Sequence, residues 1–217
     1  MKKSPTITQQ ILVLLADDHP VVRQGLATIL KSEKDMKVVA EAADGEEACE
    51  LYDLLSPDVL LLDLRMPKKD GLQVVSELMA RCAPKPRIIV MTSYESEQDI
   101  RQVVKAGAKA FLVKGACPQQ IRDAVRRVGR GECFFSPEIG LKIAESMSHP
   151  ELSRRETQVL EYLAQGRSNK EIGRTLYISE GTVKHHVKSI LSKLDAIGWT
   201  EASMIAARRG LIRASQL

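Results

Sequence analysis

Five side chains of this 217-residue chain have the types and spacing to do chemistry: Asp17, Asp18, Asp63, Thr92 and Lys114. Asp17 and Asp18 directly follow the apolar run Ile11–Ala16, and Asp63 directly follows Val59–Leu62. Thr92 ends the run Arg87–Thr92, and Lys114 follows Ala110–Val113. Carboxylates brought together repel unless a cation joins them, and hard oxygen donors suit Mg2+, or Mn2+ in its place. A hydroxyl and an ammonium beside one such carboxylate are what a phosphoryl group bonded to it would need. Singly, each residue has a plainer use. An Asp after a strand caps the next helix, a Thr turns the chain, and a Lys is solvated. The combination, at the ends of the first, third, fourth and fifth runs, favours the chemical reading.

The elements that must position these residues alternate strictly. Five strand-like runs (the four above and Lys37–Ala42) are interleaved with amphipathic stretches at Val21–Ser32, Gly45–Leu55, Gly71–Arg81, Ser96–Lys105 and Pro118–Arg130. Strand–helix alternation with unbroken apolar runs predicts a doubly wound, five-stranded parallel sheet covered on both faces. Such sheets bind ligands outside the carboxyl ends of their strands, where all five residues fall.

From Glu132 to His149 the pattern weakens to one short linking helix between Pro137 and Met147, ended by Ser148-His149-Pro150. Beyond it the chain reads as a small all-α domain of four helices. Ser153-x-x-Glu156 is a capping box opening a helix to Gln165, which Gly166 stops. Asn169–Leu176 is a second helix, Ser179 caps a third running to Leu194, and Thr200–Arg209 is a fourth stopped by Gly210. Val183, Val187, Ile190, Leu191 and Leu194 make one apolar stripe on the third helix, opposite Lys184, His185, Lys188, Ser189 and Ser192. Two helices, a tight turn and a basic second helix predict a helix-turn-helix, with a solvated basic face as the plainer alternative. Charge agrees with the first reading: residues 149–217 carry 11 Lys/Arg against 7 Asp/Glu, and residues 1–148 carry 21 of each. The positive excess sits where a polyanion would bind.

Composition removes other classes. Hydrophobic residues at 44% and charged residues at 28% are ordinary for a globular protein, and only 4% aromatics leaves an aliphatic core. The longest apolar run, six residues, is far below the ~18–20 that span a bilayer. Cys49, Cys82, Cys117 and Cys133 form no C-x-x-C pair and suit a reducing compartment. The expected location is the cytoplasm.

Leu15-Ala16-Asp17-Asp18-His19, Leu62-Asp63-Leu64-Arg65-Met66-Pro67, Asp70-Gly71, Val90-Met91-Thr92-Ser93 and Phe111-Leu112-Val113-Lys114 resemble the receiver domain of two-component response regulators, a flavodoxin-like fold. The resemblance implies that Asp63 accepts a phosphoryl group from a sensor histidine kinase. It assigns Mg2+ to Asp17, Asp18, Asp63 and the Arg65 backbone carbonyl, the acyl phosphate to Thr92 and Lys114, and the switch to Thr92 and Phe111. For Phe111 a plain core role stands beside the switch. Gly115 departs from the proline common after the lysine, so no cis-proline turn is expected there. Arg65 and Tyr94 flank the phosphoryl position, and together they predict slow self-dephosphorylation.

Leu152-Ser153-x-Arg155-Glu156, Gly166-x-Ser168-Asn169-Lys170-Glu171-Ile172 and Ile178-Ser179-Glu180-Gly181-Thr182-Val183-Lys184-x-His186-Val187 resemble the LuxR-type DNA-binding domain. That resemblance carries Lys184, His185 and Lys188 to base edges, with a phosphate role equally open to Lys184. It carries Ser168, Asn169, Lys170 and Thr182 to the DNA backbone, and Ala202, Ile205 and Ala206 to a dimerisation helix. Trp199 departs from the Asn-Arg usual before Thr-Glu-Ala. Together the halves resemble the NarL/FixJ class: a receiver at 8–130, a linker with a short helix at 131–149, and a helix-turn-helix domain at 150–213. Implied partners are a histidine kinase, promoter DNA, a second copy when active and RNA polymerase, with no membrane. In this class the unphosphorylated receiver is thought to cover the third helix. The chain is then no enzyme beyond its own phosphotransfer and dephosphorylation. Three rivals are weaker. A phosphorylation-independent regulator would not need the complete acidic set. A haloacid-dehalogenase-like hydrolase wants Asp where His19 stands. A flavodoxin-like flavin carrier wants a phosphate-cradling loop where Asp17-Asp18-His19-Pro20 is acidic.

Overall fold

The computed structural model describes residues 10–93, 96–148 and 150–212, without the side chains of residues 97, 146 and 147. Tyr94 and His149 lie outside the described residues. Two compact units emerge, one containing residues 10–93 and 102–140, the other residues 96–101 and 141–212.

The first unit alternates β1 (Ile11–Ala16), α1 (Pro20–Lys31), β2 (Met36–Ala42), α2 (Gly45–Leu55) and β3 (Val59–Asp63). It continues with α3 (Gly71–Arg81), β4 (Ile88–Thr92), α4 (Glu97–Ala106), β5 (Ala110–Val113) and α5 (Pro118–Gly129), and both α4 and α6 (Pro137–Ser148) span the division. All five strands pair in parallel in the order β2-β1-β3-β4-β5. The order reverses at β1/β3, so a crevice opens where the two strands' following loops diverge. Every residue of β3 and β4 is buried, as unbroken aliphatic runs in a two-sided sheet require.

Strand alternation divides the core. Val13, Leu15, Val59, Leu61, Ile89, Met91, Ala110 and Leu112 pack under α1 and α5, against Leu26, Leu30, Ile121, Val125 and Val128. The intervening Leu14, Leu60, Leu62, Ile88, Val90 and Phe111, also buried, therefore face the other way. Expected and observed element boundaries differ by a residue or two, for physical reasons where they matter. Helix α1 begins at Pro20, because proline's fixed φ suits a first helical position.

The second unit holds α7 (Arg154–Ala164), α8 (Asn169–Leu176), α9 (Glu180–Leu194) and α10 (Trp199–Arg208) around Val159, Leu160, Ile172, Val183, Ile190 and Leu194. Ser153 and Ser168 close capping boxes with Glu156 and Glu171, and the Ser179 hydroxyl accepts from the Thr182 N–H. Gly166 and Gly210 take the left-handed conformation just past α7 and α10, where the sequence placed the stops. No described helix is long and apolar enough to cross a membrane.

Candidate functional site

Strand register alone assembles the acidic pocket. Ala16 pairs with Leu62, so Asp17 and Asp63 stand one step further on neighbouring strands. Asp63 pairs with Met91, which precedes Thr92, and Thr92 pairs with Val113, which precedes Lys114. Neighbouring strands are about 4.8 Å apart, so four residues distant in sequence converge on one strip of sheet end. The Lys114 N–H donates to the Thr92 carbonyl at 2.9 Å, extending the ladder to the lysine itself.

The side chains meet as that register dictates. Lys114 Nζ lies 2.7 Å from Asp17 Oδ2 and 2.9 Å from Asp63 Oδ2. Asp17 and Asp63 are both buried, and one ammonium offsets their mutual repulsion. Burial pushes the Asp63 carboxyl above its ordinary range and the Asp17 charge adds to this, against Lys114 and a backbone hydrogen bond from Arg65. Burial opposes the Lys114 ammonium, but its hydrogen bonds to Asp17 and Asp63 outweigh this and raise its pKa. Asp17 Oδ1 accepts the His19 N–H at 2.8 Å, and Arg23 donates to the Asp17 carbonyl at 2.6 Å. The acidic loop is thus fastened at both its carboxylate and its backbone.

A divalent cation suits this donor set. Asp17, Asp18, Asp63 and His19 each offer one ligand atom within 4.8 Å of the others. Asp18 Oδ1 is buried with the His19 ring nitrogen 2.6 Å away as its polar neighbour, and three carboxylates gathered this closely suit a cation. The opposite wall is the loop after β3. The Gly71 N–H donates to the Leu64 carbonyl at 3.0 Å, and a side chain at Gly71 would collide with the Asp63 carbonyl. Asp70 caps α3 in a capping box with Gln73, so the Asp70-Gly71 pair ends the loop and holds it against the end of β3. Arg65 is exposed in that loop.

Thr92 is buried at the end of β4, and Phe111 is fully buried in β5. Phe111 pairs with Val90, two residues before Thr92, so the hydroxyl and the ring occupy the same face of the sheet. The cis peptide among the described residues is Ala83–Pro84, and the bond after Lys114 is trans.

In the helical unit, Lys184, His185, Lys188 and Ser192 are exposed on α9, with Val183, Ile190 and Leu194 buried behind them. Lys184 pairs with Glu180 at 2.8 Å. Lys170 and Thr182 are exposed near the starts of α8 and α9, and Asn169 is half-buried. Ser168 spends its hydroxyl on Glu171, donating at 2.6 Å, and Thr182 Oγ1 lies 2.8 Å from Ser179 Oγ.

Two readings are corrected here. Ser189 does not belong to the polar face, because its hydroxyl turns inward and donates to Glu156 Oε1 at 2.6 Å. Ala202 and Ala206 are 0% exposed and Ile205 packs partly against the same core, so the two alanines cannot themselves form a dimer surface. The exposed stripe of α10 is instead Glu201, Met204 and Arg208.

Sequence reasoning missed the partners rather than the residues. Glu156, buried, accepts from the Ser153 N–H at 2.6 Å and from Lys193 at 2.7 Å as well as from Ser189, tying α7 to α9. Burial opposes its ionisation, yet Lys193, Ser189 and Ser153 outweigh it and hold the carboxyl down at about 2. The Glu of a capping box is normally solvated, so a buried one was signalled only by the polar Ser189 and Lys193 beside the apolar stripe.

Comparison with known proteins covers both units. Residues 13–126 match the response regulator receiver domain, and residues 150–206 match the bacterial regulatory proteins of the luxR family. The chain is 39% identical over 210 residues to the transcriptional regulatory protein LiaR of Bacillus subtilis, covering 93% of this chain and 99% of LiaR. It is similar to the crystal structure of ChrA, the response regulator of a heme-sensing two-component system (38% identity, 94% and 99% covered, TM-score 0.55). It is also similar to RcsB in a structure of two RcsB dimers bound to two parallel DNAs (25% identity, 92% and 99% covered, TM-score 0.67).

Proposed function

The chain belongs to the two-component response regulators that join a receiver domain to a LuxR-type DNA-binding domain, and we propose that phosphorylation of Asp63 switches its dimerisation and its binding to promoter DNA. The receiver is taken as residues 8–130, the linker as 131–149 and the DNA-binding domain as 150–213. The observation that carries the reading is Lys114 Nζ within hydrogen-bond reach of both Asp17 and Asp63, at the ends of three different strands. A carboxylate acceptor, a fixed cation and a buried hydroxyl share one pocket, the donor set a phosphoryl group on Asp63 requires.

Chemistry follows from those roles. An Asp63 carboxylate oxygen attacks the phosphorus of a phosphohistidine on the kinase. The P–N bond breaks, its electron pair returns to the imidazole, and an acyl phosphate forms. Lys114 then exchanges part of its contact with Asp63 for a phosphoryl oxygen, and Thr92 donates its hydroxyl to another. Asp17, Asp18, Asp63 and the Arg65 carbonyl would hold Mg2+ or Mn2+, which supplies charge neutralisation for the transferring group. Because Thr92 and Phe111 share a face, motion of the hydroxyl toward the phosphoryl group frees volume for the ring. This biases two receiver states that differ in affinity for a second copy.

On DNA, His185 and Lys188 read base edges from α9 in the major groove, and Lys184 meets a phosphate beside them. Asn169, Lys170, Thr182 and the capped start of α8 at Ser168 meet phosphates. The dimer's α10 surface is assigned to Glu201, Met204 and Arg208. The regulator works in the cytoplasm with its kinase and with RNA polymerase. Intact mass of the wild type and Asp63→Asn after acetyl phosphate and Mg2+ tests the central step. One phosphoryl increment is expected, lost in the variant and without metal. A folded wild type that gains none from acetyl phosphate or from a phosphorylated kinase domain refutes it.

A further inference from the structure

Between α5 and α6 the chain does not simply lead away from the sheet. Phe134 forms a parallel bridge with Ala110 on the open edge of β5, and its N–H donates to the Lys109 carbonyl at 2.9 Å. The N–H of the same Lys109 donates to the Ile88 carbonyl at 2.8 Å, so the connecting segment continues the sheet ladder beyond β5. The half-buried Phe134 ring packs against the core under α1 and α5, with the Arg127 guanidinium 5.6 Å from its centroid. Glu132 accepts from Arg127 Nε at 3.1 Å and from Arg130 Nε at 3.0 Å.

An open sheet edge invites unwanted pairing, and covering it is one remedy. This cover is thin. Among the described residues one backbone bridge holds it, and the Glu132 ion pairs lie in solvent, where such pairs are weak. A segment held so lightly opens at a lower free energy than the strands beneath it. Its seat is also close to the residues that would move. Ala110 pairs with Ile89 on one side and Phe134 on the other, Phe111 comes next, and Lys114 follows three residues later.

We infer that residues 132–136 are a strap on β5 that phosphorylation of Asp63 releases. The inference rests on the proposed switch through Thr92 and Phe111. When Lys114 turns to the phosphoryl group and the Phe111 ring moves, β5 shifts under the strap and the single bridge is lost. Five freed residues extend by at most about 17 Å. Two protomers together gain about the 34 Å that separates half-sites one turn apart on DNA.

Hydrogen exchange of single amides in the full chain reads the strap directly. Acetyl phosphate with Mg2+ is the probe, and intact mass reports the phosphorylated fraction. The Phe134 amide is expected to be protected before phosphorylation and to exchange about tenfold faster or more after it. The Lys109 amide, which bonds within the sheet, keeps its protection throughout. In Phe134→Ala the amide at that position exchanges quickly in both states while Lys109 stays slow. A Phe134 amide unprotected from the start, or equally protected after phosphorylation, overturns the inference and leaves the phosphoryl chemistry standing. Loss of protection at Lys109 together with Phe134 also overturns it, because the sheet rather than a strap has then loosened. Protection that survives Phe134→Ala removes the ring as the fastener and overturns it too. If that variant does not fold, the wild-type comparison decides alone. A wild type that gains no phosphoryl group overturns the proposed switch and this inference with it.

Discussion

Replacing Glu156 by Gln keeps the shape of the side chain and removes the charge that joins α7 to α9. The carboxyl is held at about 2 against an ordinary 4.5. At about 1.36 kcal/mol per pKa unit, this corresponds to an upper figure of roughly 3.4 kcal/mol for the helical domain at pH 7. The side chain is 6% exposed, so little of that is lost to solvent screening. The folded pKa is the lower one, so the stabilisation is complete above the unfolded value and disappears as pH falls through the folded value. By the same arithmetic about 2 kcal/mol remains at pH 3.5. Urea unfolding of the full chain, followed by helical signal at pH 7, 5 and 3.5, should show Glu156→Gln costing about 2–3 kcal/mol at pH 7 and measurably less at pH 3.5. A cost below about 1 kcal/mol, or one that does not change between pH 7 and 3.5, refutes the network. Because Ser189 and Lys193 lie on the recognition helix, the variant should also weaken DNA binding without changing which base is preferred.

Three further outcomes follow from the same geometry. Lys114→Met leaves the buried Asp17 and Asp63 facing each other, and removing one partner of a buried ion pair costs about 3–5 kcal/mol. Millimolar Mg2+ should recover part of that loss in a urea titration, and a loss indifferent to Mg2+ would separate Lys114 from the cation pocket. On the helical face, Lys184→Ala should lower the slope of log K against log salt by about one, the mark of a phosphate contact. Lys188→Ala should instead relax base preference by about 1–3 kcal/mol, read from binding to operators with single-base changes.

Much of this was legible because it depends on local pattern. Unbroken aliphatic runs announced strands buried on both faces, and the acidic and basic residues at their ends needed only strand order to become neighbours. The capping boxes at Ser153 and Ser168 were readable because both partners lie three residues apart. What was not legible depends on a second element. Ser189 looked like a polar-face serine because helical periodicity assigns sides without knowing that Glu156, 33 residues away, waits inside. Ala202 and Ala206 looked available for a partner because alanine fits both a tight interface and a tight core, and composition does not distinguish them. The bridging of Asp17 and Asp63 by Lys114 needed distances, and the ring of His19 passed as part of a motif until its nitrogen had a position.

The acidic pocket draws its residues from the ends of four strands, and the ion pair of Lys114 with Asp63 closes a span of 51 residues. Closing spans of that length costs chain entropy before any contact repays it, so these contacts form late in folding. A partly synthesised or misfolded receiver has the aspartate but not the lysine, and an isolated carboxylate is a poor acceptor. On the proposed reading the pocket inspects its own fold: only a chain whose β5 has docked would accept a phosphoryl group, and incomplete copies would stay silent toward a kinase.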